Sequence, residues 1–297
     1  MIKSIRIVIT GRVNGIKTIV IGGSGFIGNT LIKYFSALGT SSSLKEGFIR
    51  LDVRDKNNAK HLIEQINPDL VINSSGLTGV DYCESHPEEA MLINGTAVAD
   101  IAEIAEANGS IFCHISTDYV FSGSSGHYKE DDPTGPVNVY GLSKLKGEAL
   151  LEGNKAIIVR ISTPYGVNYS ERKKTFLEFI VNNLNEGKRI SIVKDQLTTP
   201  TYVKEISLAI EKIYNSGLYG TFHLGGKECL SRYDFSLLVA DEFSLDKDLI
   251  DPSITKNMGF LAERPLNVCM DSSKISRLLE VSDIRTNLKE IRNALHI

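Results

Sequence analysis

The chain has 297 residues, 42% of them apolar and 23% charged, with a formal net charge of -3. That is room for one large α/β domain, or for a nucleotide-binding domain with a smaller lobe. A slightly acidic chain without a Lys/Arg-rich tract does not select nucleic acid or an anionic membrane as partner, and no apolar stretch nears the roughly 20 residues of a membrane span.

Residues 1–10 are interrupted by Lys3 and Arg6 and lack the long apolar core and cleavage site of a secretion signal. The expectation is a cytoplasmic protein, with Cys83, Cys113, Cys229 and Cys269 as free buried thiols rather than disulfides. Cys83 and His86 have a ligand-like spacing, but no second pair follows and no metal site is expected.

In chain order, residues 5–10 (IRIVIT) read as a strand, and Asn14-Gly15 is a strong hairpin signal before the β-branched strand 17–21. Residues 26–38 carry helical apolar spacing and stop at Gly39. The serine-rich stretch 40–46 is a poor strand, so the second strand of the usual order looks deleted, and 48–51 fits the third. A helix over 56–66 closes at Asn67-Pro68, a strand covers 70–73, and a long amphipathic helix spans 87–108, with Pro87 in its first turn and Gly109 beyond its end. Strands at 111–116 and 156–161 flank a helix over 139–151. Beyond Pro164 come helices at 174–185, 202–214 and 231–243, the last with Ser231 as N-cap, and strands at 189–193 and 221–224. The alternation predicts a doubly wound, mainly parallel Rossmann-type sheet built from right-handed crossovers. Residues 1–164 are assigned mainly to an NAD(P)-binding domain, with an extra strand or hairpin over 1–15. Residues 165–297 are assigned mainly to a substrate lobe, with some segments returning to the sheet.

Gly22, Gly25 and Gly28 are spaced G-x-x-G-x-x-G between the first strand and first helix. A pyrophosphate needs a tight turn, close backbone approach and a helix N-terminus with free N–H groups. Glycines alone would fit any turn; the strand before them and the helix after them favour the dinucleotide reading. Tyr140 and Lys144 lie four apart, on one helical face. A nearby cation lowers a phenol's pKa towards neutrality, making Tyr140 a candidate general acid or base. A surface Tyr/Lys pair is common, so this pattern gains weight from Ser116 and Thr117, hydroxyls at a strand's C-terminal end where a cofactor would lie. Capping of the following loop is the plainer role for those hydroxyls. Thr117 would hold a substrate carbonyl oxygen while Tyr140 protonates it.

With these residues in place the chain resembles the extended short-chain dehydrogenase/reductase superfamily, and within it the dTDP-4-dehydrorhamnose reductase family. The segments carrying the resemblance are IGGSGFIG (21–28), NSSGLTGVDYCE (73–84), STDYVFSG (116–123), PVNVYGLSKLKGE (136–148), DQLTTPTYV (195–203) and RPLNVCMDSS (264–273). The resemblance implies Thr117, Tyr140 and Lys144 as catalytic residues. It implies Gly22, Gly25, Phe26 and Ile27 at the pyrophosphate, Asp52 and Val53 beside the adenine, Ser74, Ser75 and Gly76 along the cofactor, and Ser116 near the nicotinamide. Val80, Asn138 and Gln196 become substrate-side candidates. The implied reaction is NADPH- or NADH-dependent reduction of a 4-keto sugar linked to a nucleoside diphosphate, with Lys144 bonding the nicotinamide ribose and depressing the Tyr140 pKa. A homodimer is implied too.

Three departures stand out. The family's usual tryptophan after the Arg-x-Ser strand is missing from 160–166, and the chain has none at all. The usual alanine-rich turn is Ser74-Ser75-Gly76. Thr117 is followed by Asp118-Tyr119, where dehydratases carry Asp-Glu. Two alternatives stay open: a nucleotide-sugar epimerase, and a non-catalytic regulator resembling the methionine adenosyltransferase β subunit. Finally, the 5–10 strand is expected to pair antiparallel with 17–21 and fill the vacant second-strand slot. A turn at Asn14-Gly15 sets Val13 opposite Ile16 and Arg6 opposite Gly23, so that Arg6 or Lys3 would attract a 2′-phosphate and tilt preference towards NADPH. A frayed extension is the plainer alternative.

Overall fold

The computed structural model describes residues 12–13, 15–170 and 174–295, the side chains of Arg12 and Val13 apart. Its elements run β1 (Arg12–Val13), β2 (Ile16–Ile21), α1 (Phe26–Phe35), β3 (Leu38–Ser41), β4 (Ile49–Arg50), α2 (Lys56–Ile66), β5 (Leu70–Asn73), α3 (Val80–Ser85), α4 (Pro87–Met91), α5 (Ala97–Ala107) and β6 (Ile111–Thr117). There follow α6 (Val139–Ala149), β7 (Ala156–Ile161), α7 (Phe176–Asn185), β8 (Ile190–Val193), β9 (Leu197–Thr198), α8 (Val203–Asn215), β10 (Gly220–Leu224), β11 (Leu230–Ser231), α9 (Arg232–Glu242), β12 (Ile250–Ser253) and α10 (Ile284–Leu295).

Seven strands form one parallel sheet in the order β10-β7-β6-β5-β2-β3-β4. Runs such as Ile19-Val20-Ile21 and Leu70-Val71-Ile72 are buried throughout because helices cover both faces. Alternation then sorts side chains between two cores. Val20 packs with Leu31 and Phe35 of α1 and Ile206 and Ile210 of α8, whereas Ile19 and Ile21 pack with Ile63 of α2 and Ile101 of α5. A third core joins Leu177 and Ile180 of α7, Ile190 of β8, Phe235 and Val239 of α9 and Ile291 of α10. The strand order reverses between β2 and β5, which makes their C-terminal ends the crevice of a doubly wound sheet.

The second strand is present, contrary to expectation. The first helix ends at Phe35, where Ser36 turns left-handed (φ 48°), and Leu38–Ser41 then pairs with Ile19 and Val20 of β2. Gly39 is no helix stop but a strand residue under the helix: a Cβ there would lie 2.2 Å from Ile32 Cδ1. Because β3 fills the slot, the proposed replacement by an N-terminal strand is overturned. The hairpin itself exists, with Val13 opposite Ile16 and Arg12 opposite Lys17. Residues 5–10, with Lys3 and Arg6, lie outside the described residues.

Two further expectations change. The helix over 87–108 is interrupted by a π-turn, Leu92–Thr96, between α4 and α5. Cys229 and Cys269, expected as thiols, form a disulfide. They are 40 residues apart in sequence, and only the folded chain brings their Cα atoms to 5.6 Å. Cys83 and Cys113 are buried and carry no disulfide. Cys83 donates to the Leu77 carbonyl, and among the described residues no group of His, Cys, Asp and Glu could hold a metal.

Candidate active site at the sheet's C-terminal edge

The glycine turn leaves β2 and caps α1. Gly22 has φ 76°, and a Cβ on it would lie 2.7 Å from the Ser75 backbone. A Cβ on Gly28 would lie 2.3 Å from Gly22 O, so that glycine seats α1 directly on the turn. Gly25 differs: its Cβ would meet only Gly22 O at 3.4 Å, an ordinary contact. Gly25 is also the N-cap of α1 and supplies no side chain, so no side chain caps the first-turn N–H groups of Phe26 and Ile27. An open face, free donors and a helix dipole suit a phosphate. β3 braces the turn: Gly22 N donates to Thr40 Oγ1 at 3.2 Å, and Ser24 Oγ to Ser41 Oγ at 3.2 Å.

Ser74, Ser75 and Gly76 leave β5 on the other side of the crevice. Ser74 Oγ donates to Ile21 O at 2.9 Å, and a Cβ on Gly76 would come within 2.9 Å of Asn94 Oδ1. Asn94 was not singled out from sequence. The π-turn aims it inward, where it accepts from Leu77 N at 2.9 Å and donates to Leu77 O and Ser143 Oγ at 3.0 Å. Asp52 follows β4 and is gripped by Arg54, whose Nη2 lies 2.6 Å away; this pairing holds its carboxyl below the usual range. Val53 packs against the second core.

α6 carries Tyr140 and Lys144, and the neighbouring motif residues explain its position. A Cβ on Gly141 would strike Tyr119 O at 2.1 Å, and one on Gly147 would strike Asn94 O at 2.4 Å. These glycines let α6 lie on the turn after β6 and on the π-turn, bringing Tyr140 beside Thr117. Glu84 of α3 accepts from Val139 N at 3.0 Å, and Asn138 caps the helix by accepting from Gly141 N at 2.9 Å. The Tyr140 ring meets Tyr119 edge-on at 5.5 Å. Burial pushes its phenol pKa up, against its hydrogen bond with the Thr117 side chain. The phenol therefore keeps its proton at neutral pH, as a general acid must. The expected help from Lys144 is not what this structure shows. Its Nζ lies 2.7 Å from Ile115 O and 3.0 Å from His114 Nε2, and burial pulls its pKa down to about 8.

Thr117 donates to Asp118 Oδ1 at 3.0 Å and accepts from Tyr119 N at 3.3 Å. Asp118 is fully buried, also accepts from Ser162, and is pushed up to about 6 by burial. Ser116 turns the other way and donates to Glu148, which pairs with Arg160 at 2.7 Å, both side chains almost wholly buried. Of the substrate-side candidates, Val80 opens α3 half-buried. Asn138 also donates to Glu263 O at 2.8 Å, and Gln196 donates to Thr255 Oγ1 and accepts from Arg232 Nε, both at 3.1 Å.

The RmlD substrate binding domain model matches residues 16–297. The chain belongs to the RmlD family. This RmlD-family chain is 33% identical over 292 residues to a dTDP-4-dehydrorhamnose reductase of Aggregatibacter actinomycetemcomitans, covering 93% of this chain and 98% of that one. It is 30% identical to methionine adenosyltransferase 2 subunit beta of Bos taurus, covering 88% and 82%. Among solved structures, the dTDP-4-dehydrorhamnose reductase of Bacillus anthracis in complex with NADP superposes with a TM-score of 0.86 at 26% identity, covering 94% and 99%. The doubly wound fold and the resemblance expected from the sequence both hold.

Proposed function

We propose that the protein reduces the 4-keto group of a sugar linked to a nucleoside diphosphate. The observation that carries this is the meeting of Thr117 and a protonated, buried Tyr140 at the C-terminal end of β6, in the sheet whose β2–β5 crevice holds the open glycine turn. The uncapped turn at Gly22, Gly25, Phe26 and Ile27 fits a pyrophosphate. Asp52 and Val53 would flank the adenine, and Ser74, Ser75, Gly76 and the backbone of Ser116 the rest of NADPH or NADH. When bound, that cofactor supplies the hydride. Thr117 orients the keto oxygen, Tyr140 gives it a proton, and Lys144 reaches the ribose side of the phenol. Val80, Asn138 and Gln196 face the sugar nucleotide in this reading, the last two also holding Glu263, Arg232 and Thr255 in place.

The NADP complex of the Bacillus relative supports a nicotinamide dinucleotide as partner, and the intact Thr117, Tyr140 and Lys144 support turnover. The reading assigns the sheet-forming half to cofactor and residues 165–297 mainly to substrate, in a cytoplasmic homodimer. A disulfide is unusual in that compartment, so Cys229–Cys269 is the feature that strains the assignment. Oxidation of NADPH and NADH by the purified protein, assayed against a panel of nucleotide-linked 4-keto sugars, tests the reaction. Stoichiometric consumption supports it, and recycling of cofactor points to an epimerase. A second reading, a regulatory subunit, rests on the likeness to methionine adenosyltransferase 2 subunit beta. Cofactor binding without turnover on any sugar favours it.

A further inference from the structure

Lys144 ends against two buried polar residues, His114 and behind it Asn73, that the reaction above does not use. Ser75 N donates to Asn73 Oδ1 at 3.1 Å, and Ser75 Oγ lies 2.6 Å from the same oxygen. A backbone N–H is always a donor, so the Asn73 oxygen is fixed on that side. Asn73 Nδ2 is thereby the group facing His114 Nδ1, at 3.3 Å. An amide nitrogen only donates, so Nδ1 accepts. His114 is fully buried, and burial keeps its ring neutral. A neutral ring carries one proton, which then sits on Nε2, 3.0 Å from Lys144 Nζ.

We propose that His114 is a positioning residue for Lys144: it hydrogen-bonds the neutral amine in a pocket under the sheet edge and expels the charged ammonium towards Tyr140 and the cofactor side. An ammonium has no lone pair for the Nε2 proton. To stay, it would need the imidazole proton moved to Nδ1, against the Asn73 amide, or the amide turned over against Ser75 N–H. Either leaves two donors face to face in a buried site, which costs more than an exposed mismatch. The neutral amine fits: it accepts from His114 and donates to Ile115 O. The titratable groups acting on Lys144 among the described residues are His114 from β6 and Glu148 from its own helix, and Glu148 is already held by Arg160 and Ser116. Tyr140 sits one turn earlier on α6, with its proton in place.

The inference rests on the proposed cofactor role of Lys144, and two measurements separate their failures. The first is ¹⁵N spectroscopy of the histidine rings in the whole protein without ligand. The proton of His114 is expected on Nε2, and a proton on Nδ1 overturns the proposal. The second is NADPH affinity by fluorescence titration against pH. Affinity in the wild type should fall as pH rises through about 8, where Lys144 loses its charge and withdraws. Asn73→Asp puts acceptors on both sides, moving the imidazole proton to Nδ1, so that Nε2 accepts from an ammonium. His114→Gln turns an amide oxygen to the ammonium instead. Both should raise the midpoint of that pH profile by about one pH unit. Unchanged or lowered midpoints in both variants overturn the proposal while leaving cofactor binding intact. If a variant does not fold, the ring-proton assignment decides alone. A wild type that binds no nicotinamide dinucleotide sinks the functional reading instead.

Discussion

At the glycine turn the chain is shaped by backbone atoms and by the absence of side chains. Around β6 and α6 it is shaped by buried side chains that carry protons and charge. Gly22 and Gly28 have no room for a Cβ, and Gly25 has room to spare. Thr117, Asp118, Tyr140, Lys144 and Glu148 are instead held by hydrogen bonds whose strength depends on who is protonated. A ligand that is always charged can be met by fixed dipoles, which cost no reorganisation. A proton to be donated needs a group whose ionisation the surroundings oppose. So substitutions at the first region should act through space, and those at the second through charge.

The largest effect should come from Tyr140→Phe, which removes the proton and little volume. Turnover should fall by about 10²–10⁴-fold while NADPH titration stays near wild type. Near-normal turnover would remove the proton donor from the account. Glu148→Ala comes next, because it strands Arg160 in the interior at 5% exposure. Loss of a buried partner costs about 3–5 kcal/mol, so chemical denaturation should show a large loss of stability whether or not cofactor is present. A shift within experimental error would mean that Arg160 finds His223 and the Glu130 carbonyl sufficient.

The two open-or-closed glycines sharpen the contrast. Gly28→Val drives a side chain into Gly22 O and Gly23 Cα and should destabilise the fold by about 1–3 kcal/mol or more. Gly25→Val should melt near the wild-type temperature but lose NADPH and NADH binding, since only the ligand would occupy that space. Normal binding by a folded Gly25→Val protein would make the loop a structural turn and nothing else.

The smallest effect should be at Asp118. Its carboxyl pKa, about 6 in the folded chain, lies above its unfolded value, so the folded state holds a proton that the unfolded state releases. That contribution to stability is complete below about pH 4 and is lost as pH rises through about 6. Asp118→Asn cannot ionise, so its thermal midpoint should vary less between pH 4 and pH 7 than the wild type's. Parallel curves for the two proteins would show that Asp118 is already charged at neutral pH without cost.

The strands, the glycine turn and the face shared by Tyr140 and Lys144 were legible in the sequence. Each is a local pattern: an apolar run buried on both faces, a spacing of glycines between strand and helix, or a four-residue interval. The second strand was not legible. Leu38 ends a helical apolar pattern and Gly39-Thr40-Ser41 make a poor strand by sequence, and it is the reversal at Ser36, with Gly39 tucked under Ile32, that turns 38–41 into β3. The disulfide, the burial of Asp118 and the partner of Lys144 were equally hidden. They depend on which segments, 40 residues apart for Cys229 and Cys269 and 71 for Asn73 and Lys144, come to share one low-dielectric site. Local sequence sets backbone shape through sterics and periodicity. Only the packed tertiary structure decides which polar groups face one another away from water, and so what their protons can do.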